Sequence, residues 1–277
     1  MYTSFQLAKK YLYYYLTASN GKGHGIHSPF VFDFVKNILN DKKKYNCYDT
    51  VEKLRNDLLH DKTIIEVEDF GAGSVVMRSN KRVVKNIAAS SLKPKKFSQL
   101  LFRIVQYYKP EIIVELGTSL GVTTCYLASA CTKLSGDFKS PDTFKTNVFT
   151  LEGDKNIAAI AQNNFDKCQQ NNIKLIQGNF DKTLPETLNK IAKVDLAFID
   201  GNHRKMPTLR YFQLLLQKSN DQSIFIFDDI HWSKEMEDAW REIKDHPSVT
   251  LTIDLFFIGL VFFKKDFKAN QHFVIRV

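Results

Sequence analysis

Apolar residues change their spacing at one point in this chain, and the rest is organised around it. Over 96–108 they fall at Phe97, Leu100, Leu101, Ile104, Val105 and Tyr108, the three-and-four rhythm of an amphipathic helix. Residues 112–114 are then a β-branched run, Ile-Ile-Val, as in a strand covered on both faces. From there onward such runs alternate with helical patterns. Strands are predicted at 112–116, 147–151, 173–177, 194–199 and 223–227. Helices are predicted at 121–133, 155–169, 182–191, 205–218 and 233–244. Two late strands, 249–255 and 259–263, are joined by a short connection, and 273–277 reads as an edge strand without an assigned place. The polar stretch 134–146, with Gly136 and Pro141, reads as a surface loop. Alternation of this kind implies an α/β, Rossmann-like doubly wound sheet, mostly parallel, of seven strands with an antiparallel last hairpin.

The first third reads differently. Residues 5–17 have helical spacing, but Tyr11, Leu12, Tyr13, Tyr14, Tyr15 and Leu16 surround the helix rather than line one stripe. Packing on the main domain or on a second subunit is the preferred reading, ahead of membrane docking. A turn-rich loop at 19–25 leads to Ser28 as a helix cap, with Pro29 at the first helical position. That helix is expected to bury Phe30, Phe34, Val35 and Ile38. His24 and His27 stand at the mouth of the loop, with a structural or capping role preferred to substrate contact. Residues 49–60 and 80–91 also read as helices. Between them, 64–74 joins an apolar run to an acidic residue and the pair Gly71, Gly73. No strand ending in an acidic residue follows within the next 30 residues, so it reads as a loop over the site or as a linker. The expected division is 1–92, an N-terminal helical, basic cap, and 93–277, the main domain.

Composition narrows the class. The chain has 277 residues, 44% hydrophobic and 25% charged, as in a soluble globular protein. No window approaches the roughly 18–20 apolar residues of a membrane span, and the start does not resemble a signal peptide. Cys47, Cys125, Cys131 and Cys168 are scattered without a C-x-x-C pair, so a reducing cytoplasm is expected rather than a zinc site or a disulfide framework. Residues 1–100 hold 17 Lys and Arg against 9 Asp and Glu, or +8; residues 101–277 hold 22 against 21, or +1. The net charge of +9 thus belongs to the first third. It suits an anionic partner, although a solvated basic surface is the preferred reading.

The chemistry is carried by strand ends. Glu115-Leu116-Gly117-Thr118-Ser119-Leu120-Gly121 follows the first strand of the main domain and opens a helix. Glycine lets a backbone approach a ligand, and a helix start offers unpaired N–H groups. Glu152 ends the next strand, where a carboxylate accepts two ribose hydroxyls in nucleotide-binding sheets. Asp200, in Asp200-Gly201-Asn202-His203, and the pair Asp228-Asp229 follow two further strands. Three carboxylates at one sheet edge repel unless a cation separates them, and a hard divalent ion such as Mg²⁺ suits oxygen ligands.

Glu115-x-Gly117-x-x-x-Gly121 resembles motif I of the class I S-adenosylmethionine-dependent methyltransferases. The later carboxylates resemble the metal-dependent small-molecule O-methyltransferases, in the branch with an Asp-Gly-x-His sequence. The resemblance covers roughly residues 97–265. It implies a cofactor site of Glu115, Gly117, Thr118, Ser119, Gly121, Glu152, Gly153, Asn179, Phe180 and Asp200, with Asn179 and Phe180 at the adenine. It implies Asp200, Asp228 and Asp229 as ligands of Mg²⁺ or another divalent cation, and His203, with Asp200, as the catalytic group. Histidine suits a general base because its ordinary pKa of about 6.5 leaves it largely neutral at pH 7. His203 stands where a lysine is usual in catechol-type enzymes, and Asp229 where an asparagine is usual.

The implied activity is methylation of a small hydroxylated acceptor. An RNA methyltransferase using the basic third is one alternative, and nucleic acid its partner; no amine-methylating Asn-Pro-Pro-Tyr tetrad follows the fourth strand. A non-catalytic cofactor-binding protein on the same fold is another. A nicotinamide dehydrogenase ranks last, since the turn lacks G-x-G-x-x-G spacing. The tyrosine-rich first helix is a candidate homodimer surface.

Overall fold

The computed structural model describes residues 1–67, 80–130, 146–267 and 269–277. Most of the 64–74 reading, the 134–145 part of the predicted surface loop, and Cys131 lie outside the described residues. In chain order the elements are α1 (Ser4–Thr17), α2 (Pro29–Phe34) running into a π-helical turn (Val35–Leu39), α3 (Cys47–His60), β1 (Ile64–Glu66), β2 (Lys81–Val83), α4 (Val84–Ser91) and α5 (Lys95–Tyr108). Then follow β3 (Ile112–Leu116), α6 (Val122–Ser129), β4 (Asn147–Glu152), α7 (Lys155–Lys167), β5 (Ile173–Gln177), α8 (Phe180–Asn189), β6 (Leu196–Ile199) and α9 (Lys205–Leu216). The chain closes with β7 (Ile224–Asp228), α10 (Lys234–Lys244), β8 (Leu251–Asp254), β9 (Ile258–Phe262) and β10 (Gln271–Val274).

The main sheet has eight strands in the order β10-β8-β9-β7-β6-β3-β4-β5. Parallel pairing joins β3 to β4, β4 to β5 and β6 to β7. Strand β9 runs antiparallel to both β7 and β8. This is the Rossmann-like methyltransferase arrangement, with one strand more than the seven expected. The extra strand is β10, which pairs parallel with β8 through Gln271 and Leu251. Its burial alternates, as expected of an edge.

Two compact units divide the chain: Met1–Asp41 with Leu188–Val277, and Lys42–Thr187. In the first, β6 and β7 are buried along their whole length, as two-sided strands must be. Phe212 packs edge-on to Phe225 at 6.2 Å, and Trp240 lies 6.3 Å from Phe227. A Cβ at Gly259 would meet the Trp240 ring at 2.5 Å, which is why a glycine interrupts the apolar run of β9. Helix α1 rests on this unit through Leu7, Tyr14 and Ala18, which gather about Phe256. Its opposite face, with Phe5, Leu12, Tyr13 and Leu16, is exposed.

In the second unit, α5 buries the stripe that its sequence spacing marks. The Tyr126 hydroxyl of α6 donates to Glu52 of α3 at 2.7 Å, and Glu52 also pairs with Arg55 at 3.1 Å.

Two local expectations are corrected. Residues 80–91 do not form one helix: 81–83 pair antiparallel with 64–66, and only Val84–Ser91 is helical. Ile64-Ile65 and Val83 favour extended backbone, but the pairing joins segments far apart in sequence, so local spacing misses it. At α2, Ser28 holds the cap position without a side-chain cap bond, and Val31 rather than the half-buried Phe30 enters the core. His24 and His27 are exposed.

Candidate active site

In the unit Lys42–Thr187 the turn after β3 coils tightly. Gly117, Ser119 and Gly121 all have positive φ, at 99°, 48° and 81°. The Gly117 and Thr118 N–H groups both donate to the Leu151 carbonyl, at 3.0 and 3.2 Å, which ties the turn to β4. The buried Asn164 side chain of α7 donates to the Leu120 carbonyl at 2.9 Å. Gly121 is fixed by packing as well as by φ, since a Cβ there would stand 2.5 Å from the Phe165 ring.

Glu152 ends β4 beside this turn. Its Oε2 accepts the Ser119 N–H at 2.8 Å, and its Oε1 accepts the Asp154 N–H at 3.0 Å. Burial raises its pKa above the usual carboxylate range, and the backbone N–H groups of Asp154, Ser119 and Gly153 oppose that rise. A carboxylate offers about four lone-pair positions. The carboxylate therefore keeps acceptor capacity for a ribose hydroxyl, as a nucleoside site requires.

The remaining cofactor candidates fall into two groups. Glu115 is fully buried, and its Oε2 accepts the Thr124 and Thr150 hydroxyls at 2.5 and 2.6 Å. Thr150 has one hydrogen and gives it to Glu115, so the buried Thr118 is the donor in the 2.5 Å contact between the two threonines. Glu115 and Thr118 thus brace the turn from beneath. Ser119 is half-buried, and its hydroxyl meets that of Ser91 at 2.9 Å. Gly153 is buried, with its carbonyl accepting from Gln177 at 2.9 Å. The Gly178 N–H donates to the Glu152 carbonyl at 2.8 Å, which sets the exposed Asn179 and half-buried Phe180 next along the same edge. Asn179 also accepts the Asp181 N–H at 2.8 Å.

In the other unit, Asp200 follows β6, and Asn202, at φ 63°, turns the chain so that His203 returns towards it. His203 Nε2 lies 3.5 Å from Asp200 Oδ1, both side chains being about one-fifth exposed. The His203 ring stands 5.6 Å from that of Trp232 at 67°. Trp232 is fixed by its N–H to the Asp229 carbonyl at 3.0 Å and by its own carbonyl, which accepts the Tyr2 N–H at 3.1 Å. Asp228 is the buried last residue of β7; Asp229 follows at φ 54°, its N–H donating to the Phe257 carbonyl at 2.7 Å.

Helix capping does not account for these carboxylates. Arg204 holds the cap position of α9 without a side-chain bond, and Ser233 caps α10 by accepting the Met236 N–H. Among the described residues, no group of three or more His, Cys, Asp and Glu side chains is arranged to hold a metal ion. Trp232 escapes the sequence argument as a site residue, because its nearness to His203 depends on how the loops after β6 and β7 fold.

Residues 114–230 match a family described as a methyltransferase domain. No curated protein matches the sequence. Solved structures share the fold. An O-methyltransferase from Bacillus cereus, solved with SAH, is 21% identical over 84% of this chain and 97% of its own, with a TM-score of 0.54. A methyltransferase from Podospora anserina, also with SAH bound, is 14% identical over 86% of this chain and 97% of its own, with a TM-score of 0.57. The O-methyltransferase TomG from Streptomyces achromogenes, with SAM, is 16% identical over 63% and 82%, with a TM-score of 0.51. The central part of the chain thus matches a methyltransferase domain, and its fold is that of the solved S-adenosylmethionine-dependent methyltransferases.

Proposed function

We propose that this enzyme methylates an oxygen of a small hydroxylated acceptor, with His203 as general base. The Asp200–His203 pair, about one-fifth exposed and required by no helix cap, carries the reading. O-methyltransferases among the solved relatives support it.

S-adenosylmethionine, when bound, supplies a methyl group on a sulfonium sulfur. Glu152 holds the ribose hydroxyls, Gly117 and Ser119 leave room for the cofactor beside the turn, and Asn179 and Phe180 meet the adenine. With Nε2 turned to Asp200, Nδ1 is the ring nitrogen left to face an acceptor. Nδ1 would take the acceptor's hydroxyl proton, leaving the oxygen free to receive the methyl group that the cofactor would supply. The Trp232 ring walls the acceptor side of His203 and excludes water. Asp200, Asp228 and Asp229 are candidate magnesium ligands by resemblance alone, and no step above passes through a metal. On this reading 93–277 is the catalytic part and 1–92 its cap.

His203→Ala is expected to lower kcat by about 10²–10⁴-fold, the range of a lost general base. Cofactor affinity by calorimetry should be unchanged. Wild-type turnover on a panel of phenolic and sugar hydroxyl acceptors, with and without a chelator, gives the reference. Full activity in His203→Ala would sink the assignment. Turnover that needs added Mg²⁺ would support the carboxylates as its ligands.

A further inference from the structure

Helix α1 leaves its outer face uncovered. Phe5, Leu12 and Leu16 are 81%, 58% and 72% exposed, and Tyr13 and Tyr15 flank them. At 100° per residue, positions 5, 12 and 16 fall within about 40° of one another, and Lys9 lies beside them. Phe257 is also exposed at the flank of the helix, 5.8 Å from Tyr11. Monomeric proteins rarely leave contiguous apolar surface of this kind without a use.

The charges say what covers it. The first acidic residue of the chain is Asp33, so α1 carries none. Lys10 is on the inner side, bound to Glu237 at 2.9 Å. Lys9 sits in the outer stripe, and the Arg276 guanidinium stands 5.1 Å over the Tyr15 ring. The surface therefore pairs aromatic and aliphatic side chains with positive charge alone. A second copy would bring the same Lys9 to the contact, with no carboxylate on the helix to receive it. The helix face is also small: 14 residues make about 21 Å by about 10 Å, against the ~800 Å² that each partner gives to a standard protein interface.

We infer that α1 is an interfacial helix that lays its outer face on an anionic lipid surface. Phe5, Leu12 and Leu16 enter the headgroup–acyl boundary, the tyrosines sit at headgroup level, and Lys9 and Arg276 meet lipid phosphates. Such docking would bring the enzyme to acceptors dissolved in or delivered from a membrane. It does not depend on the roles assigned to His203 or Glu152.

Flotation of the full-length protein with vesicles tests this. Binding is expected to vesicles containing phosphatidylglycerol, much less to pure phosphatidylcholine, and to weaken as salt is raised. The double variant Leu12→Glu, Leu16→Glu should bind at least about tenfold less. Its melting temperature and cofactor affinity should be unchanged, since both leucines are already exposed. Lys9→Glu should lower binding to the anionic vesicles only. No flotation with either vesicle would overturn the inference, as would equal binding to neutral ones. A dimer mass by light scattering that the double variant halves would assign the face to a second copy and likewise overturn it.

Discussion

Glu152 is under opposed influences. Burial raises its pKa, while backbone N–H groups from Asp154, Ser119 and Gly153 favour the ionised form. With Glu152 on the ribose, as proposed, its raised pKa would set the pH dependence of cofactor binding. Ribose hydroxyls donate, so they need the carboxylate; a protonated carboxyl gives up acceptor capacity. Affinity should therefore be full above the pKa of Glu152 and fall as pH drops through it, beginning above the ordinary carboxylate range of about 4. Calorimetry with S-adenosylmethionine across pH measures this. Glu152→Ala should weaken binding by about 10–100-fold, as expected for losing hydrogen bonds to a charged group. Glu152→Gln should also bind more weakly, with a flat profile over the same range. A wild-type profile as flat as the glutamine variant's would remove Glu152 from the ribose. Residues such as Gly117, Glu152, Asp200 and His203 are legible in the sequence because each ends or closely follows a strand, and chain order alone sets it near the sheet edge. Tyr2 is not: its N–H bond to Trp232 joins residues at opposite ends of the chain.

Among the elements, α1 and α10 are joined by one side chain. Glu237 accepts from the Tyr2 hydroxyl at 2.7 Å and from Lys10 at 2.9 Å, and lies 3.1 Å from His231 Nδ1. His231 Nε2 meets Asp254 at 2.9 Å. Burial pulls the His231 pKa down, but the two carboxylates outweigh it and leave the pKa raised. Glu237→Ala removes the acceptor for both α1 groups at once. It should destabilise by about 1–3 kcal/mol, towards the lower end because Lys10 is 36% exposed. Trypsin should then cut after Lys9 or Lys10 faster than in the wild type. Asp238→Ala, which breaks only pairs on the same helix, should leave stability nearly unchanged. If both variants behave alike, Glu237 does not anchor α1. Elements with long periodic signals, such as α5, α7 and α10, match their sequence reading because one buried face sets both spacing and length. The β1–β2 pair has only three residues a side and a distant partner, too little local signal to outweigh the helical reading of 80–91.

At the scale of the molecule, alternation of strand and helix specifies a doubly wound sheet because parallel strands need crossovers, and crossovers need helices. It does not specify the far edge. Strand β10 has a mixed, half-exposed sequence, and its pairing with β8 is decided by hydrogen bonds that an edge offers to any extended segment. The cofactor should act on this whole structure by mass action. A ligand that binds only the folded state adds about 2.7 kcal/mol when present at 100 times its Kd. For a domain of this size each kcal/mol shifts Tm by about 2–4 °C, so saturating S-adenosylhomocysteine should raise Tm by roughly 5–10 °C. The chain has two compact units, so two transitions are allowed. In that case the rise belongs to Lys42–Thr187, which contains the glycine turn and Glu152, and the other transition stays in place. Differential scanning calorimetry distinguishes the two patterns. Glu152→Ala at the same ligand concentration should lose most of the rise. A wild-type Tm unmoved by ligand at millimolar concentration would mean that the turn and Glu152 do not hold the cofactor, however closely their fold matches enzymes that do.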